Sequence, residues 1–302
     1  MSRLRIVHET TYTYKKAVRF GPHRLILRPR EGHDLRVEEM RLEIAPDFEL
    51  EWSRDLFGNS VAIAHISSAA DQLRMRSEVL LHQTSPFPLR QVRRARVNFP
   101  INFSEVESAV ASAYLASTYP QDVEIVRAWI NDRLDAAAVQ DAEEIVALAA
   151  RAIRETIKYR RREIRGVQTP RVTLANGSGS CRDMATLMLE ALRALGLPAR
   201  FASGYLDCSA SQEGQASTHA WAEAYLPDIG WTGYDPMLGC ATSERHIVVG
   251  VSNHPRGVMP VTGTFFDNAG SFLEMTVNVQ TERFPDPVEA VKRDSSTSTR
   301  VQ

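Results

Sequence analysis

Three side chains of this chain have the types that nucleophilic acyl transfer requires. Cys181 lies in the run Gly177, Ser178, Gly179, Ser180, Cys181, Arg182, Asp183. His219 follows Thr218 and precedes Ala220 and Trp221, and Asp235 stands between Tyr234 and Pro236. A thiolate attacks a carbonyl carbon, an imidazole carries the proton, and a carboxylate fixes the imidazole's tautomer. Each residue also has a plain structural alternative: a core cysteine, a satisfied histidine, a turn-capping aspartate. Local context separates the two readings. Ser180 with Asp183 three residues later resembles a capping box, which places Cys181 at the first helical position. Free N–H groups and the positive end of the helix dipole then face the sulfur, and the Cys181 N–H is placed to serve an oxyanion. Over residues 218–226, His219, Trp221, Glu223 and Tyr225 alternate with Ala220, Ala222 and Ala224, so a strand presents the imidazole with two aromatics on one face. Asp235, on the returning strand, falls opposite Trp221 or Ala222, one diagonal step from His219. The remaining histidines, at 8, 23, 33, 65, 82, 246 and 254, have no comparable setting, and Asp228 falls at a hairpin tip.

The elements that must position these residues follow from periodicity. Apolar residues at 184, 185, 187, 188, 191, 192 and 195 predict a deeply buried helix over 181–195, stopped by Gly196 and Pro198. Residues 199–206, 218–226 and 231–234 read as strands, the last two joined by a hairpin at 227–230, and 247–249 and 272–279 as further strands. Upstream, 108–115, 123–134 and 142–159 carry apolar residues three and four apart, with Tyr114, Trp129 and Tyr159 assigned to the core. Short β-branched runs at 4–7, 24–27, 40–44, 60–63 and 78–81 are punctuated by turn formers such as Gly21 and Pro22, predicting a small antiparallel sandwich. The expected chain is α+β: a β-rich domain over 1–95, a helical region plus catalytic core over 96–282, and a disordered tail over 283–302.

Global properties narrow the partners. The chain has 302 residues, 43% hydrophobic and 24% charged, with a formal net charge of -1. That balance favours a packed globular protein and gives no global reason for nucleic-acid or membrane binding. Two basic runs, Arg93-Arg94 with Arg96 and Lys158 with Arg160, Arg161 and Arg162, read as solvated faces. The beginning of the chain lacks a secretory pattern and no stretch approaches the roughly 18 apolar residues of a spanning helix, so a cytoplasmic setting is expected. Cys181, Cys208 and Cys240 form no close pair. A zinc site from Cys181, His219 and Cys208 or Cys240 fits no ligand spacing, and no metal or cofactor is expected.

Residues 179–185, then 192–206, Thr218 through Glu223, and Gly230 through Pro236 together resemble the bacterial transglutaminase-like superfamily. The β-rich start, with Asp55, Leu56, Phe57, Gly58 and Asn59, is similar to the N-terminal domain found ahead of this core. The resemblance implies a papain-like core in which Cys181 is the nucleophile, His219 the general base then acid, and Asp235 the orienting carboxylate. It makes Asp183 structural. Animal members place a tryptophan at the oxyanion; none lies between 130 and 220, and Gln168 or another polar group could take that role. No calcium-loop pattern is present. The implied reaction acts on peptide or amide bonds of a peptide or protein substrate through a thioacyl enzyme. Hydrolysis leads, protein-glutamine gamma-glutamyl transfer is the alternative, and a non-catalytic binding module on the same scaffold is the third reading.

Overall fold

The structure, a computed structural model, describes residues 2–84, 96–162, 166–207, 217–267 and 270–285. The chain divides into two compact units, one formed by Arg94–Tyr205 with Thr218–Met259 and the other by the residues around them. Among the described residues no helix is long and apolar enough to cross a membrane.

The outer unit is a curled antiparallel sheet organised on β1 (Ser2–Leu25). It also contains β2 (Leu35–Ala45), β3 (Phe48–Arg54), β4 (Ser60–Ile66) and β5 (Ala70–Gln83). The first half of β1 pairs with β5, and its second half with β4. Gly21 and Pro22, expected as a turn, lie inside β1, where the register shifts between Phe20 and His23. A glycine and a proline in a strand interior mark a bulge, and the bend lets one strand serve both halves of the curled sheet. Tyr12, Tyr14, Phe20, Leu25, Leu73 and Met75 fill the core between them.

The inner unit begins with α1 (Glu105–Leu115), α2 (Val123–Arg133) and α3 (Ala142–Thr156). The helix expected to reach 159 stops at Thr156, and the chain continues as β6 (Lys158–Tyr159). Tyr159, assigned to the core from sequence, is 43% exposed there. A short α4 (Pro170–Asn176), not foreseen, leads through β7 (Ser178–Gly179) into α5 (Cys181–Ala194). Eleven residues of α5, Asp183 through Arg193, are buried. It packs against the other four helices. A five-stranded sheet follows, built from β8 (Ala199–Leu206), β9 (Ser217–Leu226), β10 (Gly230–Asp235), β11 (Cys240–Ala241) and β12 (His246–Ser252). Its order is β11-β10-β9-β8-β12. The hairpin turns through Asp228 and Gly230, both at positive φ.

The expected domain limits change at the C-terminal side. β13 (Val261–Phe266) and β14 (Phe272–Pro285) pair antiparallel with β1, not with the core sheet. Alternation in 272–279 reports a strand and carries no information about its partner; β1 had two long edges to satisfy. Residues 283–285 belong to β14, so the expected tail starts no earlier than 286, and 286–302 lie outside the described residues.

Candidate active site

Three local devices hold the site. The first fixes the start of α5. The Ser180 N–H and hydroxyl both donate to Asp183 Oδ2 at 2.8 Å. Arg162 Nη1 contacts both oxygens of the same carboxylate at 2.8 Å, and the Gln168 N–H donates to Oδ1 at 2.7 Å. Asp183 is fully buried, and these four donor groups account for a charge that would otherwise be costly there. It does not reach the reacting atoms; it pins the turn that presents Cys181. Helical bonding begins with Met184 N–H to Ser180 O, so the Cys181 N–H belongs to the orphan donors of the first turn. Gln168 Oε1 accepts from Thr173 Oγ1 at 3.2 Å, which leaves its amide nitrogen as the free end.

The second device is a tryptophan floor. Trp221, 1% exposed, lies across the sheet between two glycines. A Cβ at Gly204 on β8 would stand 1.9 Å from the Ile247 carbonyl oxygen and 3.0 Å from Trp221 Cη2. At Gly233 on β10 it would meet Thr242 Oγ1 at 2.6 Å and Trp221 Nε1 at 3.1 Å. Only hydrogen fits at either position, so the indole can occupy the sheet face beside His219. Their ring centroids are 6.2 Å apart.

The third device is the carboxylate. Asp235 is fully buried, and its Oδ1 accepts the N–H groups of Met237 and Leu238 at 2.8 and 3.3 Å. Its Oδ2 lies 2.7 Å from His219 Nε2 and 3.1 Å from His246 Nε2. Cys181 is coupled to the same imidazole and helps to raise its pKa. With Nε2 committed to Asp235, Nδ1 is the nitrogen left to exchange a proton with the thiol. Of the three residues singled out in the sequence, His219 and Asp235 are in direct contact and buried, and Cys181, partly exposed at the head of α5, is coupled to His219.

The sequence does not distinguish His246, because it heads an ordinary β-branched strand outside the matched blocks. Its Nδ1 accepts the Ser243 N–H at 3.1 Å, which assigns the proton to Nε2 and makes it a donor to Asp235. It also packs edge-on against Trp221 at 5.3 Å. The pair of close, ordinary blocks Ser243 and His246, spaced like a small turn, was the one available signal.

Electrostatics follow from this wiring. Burial alone would discharge His219, but hydrogen bonds with Asp235 and Cys181 and their charges raise its pKa to about 10. Burial likewise opposes ionisation of Asp235, and the two imidazoles outweigh it, holding the carboxyl well below its usual range. His219, Asp235 and His246 also offer ligand atoms within 4.8 Å of one another, a set that could hold a metal. Protons already account for both short contacts: His246 Nε2 must carry one, and His219 is held in its charged form. A cation there would have to displace both. Cys240 lies across from Asp235 in the β10–β11 ladder; burial and the Asp235 charge push its thiol pKa up. Cys208 lies outside the described residues.

Known families and proteins resemble this chain. The bacterial transglutaminase-like N-terminal region matches residues 4–81, and the transglutaminase-like superfamily matches residues 130–236. An uncharacterised Mycobacterium leprae protein, ML0607, is 27% identical over 288 residues, 92% of this chain and 99% of its own. Rv2569c of Mycobacterium tuberculosis, also uncharacterised, is 26% identical, with 92% of each chain covered. A protein-glutamine gamma-glutamyltransferase of Pseudomonas aeruginosa is 37% identical over 70 residues, 21% of this chain and 10% of its own. Among solved structures, a cysteine protease candidate from Cytophaga hutchinsonii superposes with a TM-score of 0.70 at 16% identity, covering 93% of this chain and 90% of that one, a likeness of fold. On its two matched regions the chain belongs to the transglutaminase-like superfamily, with the bacterial N-terminal region ahead of the core.

Proposed function

We propose that the protein is a cysteine-dependent acyl-transfer enzyme that acts on peptide or amide bonds, as a hydrolase. The observation that carries this reading is the buried His219–Asp235 pair at 2.7 Å, with Cys181 at the head of α5 coupled to the same imidazole. The Cys181 thiolate attacks the carbonyl carbon; the C–S bond forms as the carbonyl π pair moves to oxygen, which the Cys181 N–H stabilises. His219 then gives its Nδ1 proton to the departing amine as the C–N bond breaks, leaving a thioester. In the second half-reaction His219 takes a proton from water, whose oxygen attacks the thioester and releases the acid and the thiolate. Asp235 holds the imidazole's orientation throughout and stabilises its charge.

Water is favoured as acceptor because Cys181 is partly open to solvent while its partners are buried. The alternative acceptor, a lysine amine giving gamma-glutamyl transfer, is favoured by the short match to the Pseudomonas aeruginosa protein named above. Both use the same atoms and differ in how the thioester is resolved. A glutamine peptide incubated with and without a primary amine tests this. Hydrolysis gives ammonia and a glutamate product in equal amounts even with amine present; an amine-linked product in excess of glutamate assigns the transferase. Because protons account for the contacts of His219 and His246, a chelator should leave turnover unchanged. Loss of activity on chelation, restored by a divalent metal, would contradict the assignment.

A further inference from the structure

The basic run at 158–162, read from sequence as a solvated face, lies against the strand that delivers the nucleophile. β6 and β7 pair in parallel, Lys158 beside Ser178 and Tyr159 beside Gly179. Lys158 N–H donates to Gly177 O at 2.9 Å, and Arg160 N–H to Gly179 O at 2.8 Å, two residues before Cys181. One strand spacing is about 4.8 Å, inside the roughly 8 Å over which salt at physiological strength screens charge. Arg182 is the residue after the cysteine. Gly239 follows the Asp235 turn, and a Cβ there would touch Arg154 Cβ at 3.0 Å and the Arg151 backbone at 3.8 Å.

The charges of this rim do not cancel. Arg162 and Asp183 neutralise one another in a buried pair. Arg151, Arg154, Lys158, Arg160 and Arg161 are exposed and Arg182 partly so, and Glu155 is the one acid among the described residues of 151–162. None of the six cations is in an ion pair among the described residues, whereas many arginines elsewhere in the chain are. Glu163 and Arg165, next in sequence and outside the described residues, carry opposite charges. Cations without an ion pair near a nucleophile create a local positive potential in a chain of net charge -1. Arginine forks suit carboxylates in particular.

We propose that the acyl donor is an acidic peptide, whose carboxylates beside the scissile bond are recognised by Lys158, Arg160, Arg161 and Arg182. This rests on the acyl-transfer reading for substrate turnover, but the potential at Cys181 can be measured without it. The test is the rate of Cys181 alkylation by iodoacetate, an anion, against iodoacetamide, its neutral counterpart, read by mass spectrometry. Replacing Lys158, Arg160 and Arg161 with Glu should lower the iodoacetate rate by about tenfold at low salt and change the iodoacetamide rate less than about twofold. In the unaltered protein the iodoacetate advantage should fall as salt rises. The Lys158→Gln, Arg160→Gln, Arg161→Gln variant should fall between. Equal effects on both reagents, or none, overturn the proposal. Protection of Cys181 from iodoacetamide by matched peptides bearing Glu or Lys then reads recognition directly: stronger protection by the Glu peptide supports it, and equal protection overturns it. If the Glu peptide protects and no peptide is turned over, the acyl-transfer reading fails while the recognition surface stands. If peptides are turned over without charge preference, the reverse holds.

Discussion

At the scale of single residues, Asp235 governs the chemistry. Its two oxygens accept two backbone N–H groups and two imidazoles. An asparagine could keep only one acceptor, and its NH2 would face two nitrogen donors, forcing His219 into the wrong tautomer. Asp235→Asn should therefore lower kcat/KM by about 10²- to 10⁴-fold with the fold retained; a loss below tenfold would remove Asp235 from the mechanism. His219, raised from 6.5 to about 10, contributes stability that is complete below 6.5 and lost as pH rises through about 10. Asp235, lowered from 3.8, contributes stability above 3.8 that is lost as pH falls through its depressed value. The pair therefore stands across neutrality, and the alkaline limb of activity should lie near 10 rather than near 6.5; a limb at 6.5 would show an unpaired imidazole. His246 is a positioning residue. His246→Leu removes one charge-assisted hydrogen bond, so kcat/KM should fall about tenfold and the acid limb should move upward. His246→Gln, which keeps a donor near Nε2, should restore the limb; if both variants share one profile, His246 only fills space. Cys181 and Asp235 were legible because each stands at a patterned boundary, a helix start and a strand end. His246 was not, because its role depends on the turn from Ser243 that sets its ring against Asp235.

At the scale of elements, the sheet carries a tryptophan that a less accommodating backbone would expel. Gly204→Ala puts a methyl 1.9 Å from a carbonyl oxygen of β12, which cannot rotate away. It should cost about 3 kcal/mol or more of stability and slow alkylation of Cys181, because β8 and β12 must separate. Unchanged Tm and alkylation would show that the floor is adaptable. Helix α5 and strand β9 were readable because their residue types repeat at helix and strand spacing, and the apolar α5 positions and Ala220, Ala222 and Ala224 are buried in place. The short elements were not. β6, β7 and α4 are too brief to show a period, and they are set by backbone bonds such as Arg160 N–H to Gly179 O and by Asp183 gathering donors from 162 and 168.

At the scale of the molecule, the outer unit is closed by the end of the chain. β14 covers the first half of β1, from Arg3 beside Phe284 to Thr13 beside Glu274. Arg283 reaches Asp207 at 2.9 Å, Ser2 at 2.7 Å and Gln83 at 2.6 Å. Removing residues 260–302 should expose the amides along one edge of β1 to hydrogen exchange, and their unchanged protection would contradict the pairing. Strand pairing between distant segments leaves no local mark, which is why the sequence places 272–279 in the 96–282 region and names no partner for it. The central claim concerns the covalent step. Mixing the protein with a peptide ester, quenching in acid and weighing the intact chain should reveal an acyl adduct that maps to Cys181 and is absent from Cys181→Ala. Turnover that persists in Cys181→Ala, with no adduct on the unaltered protein, would contradict it.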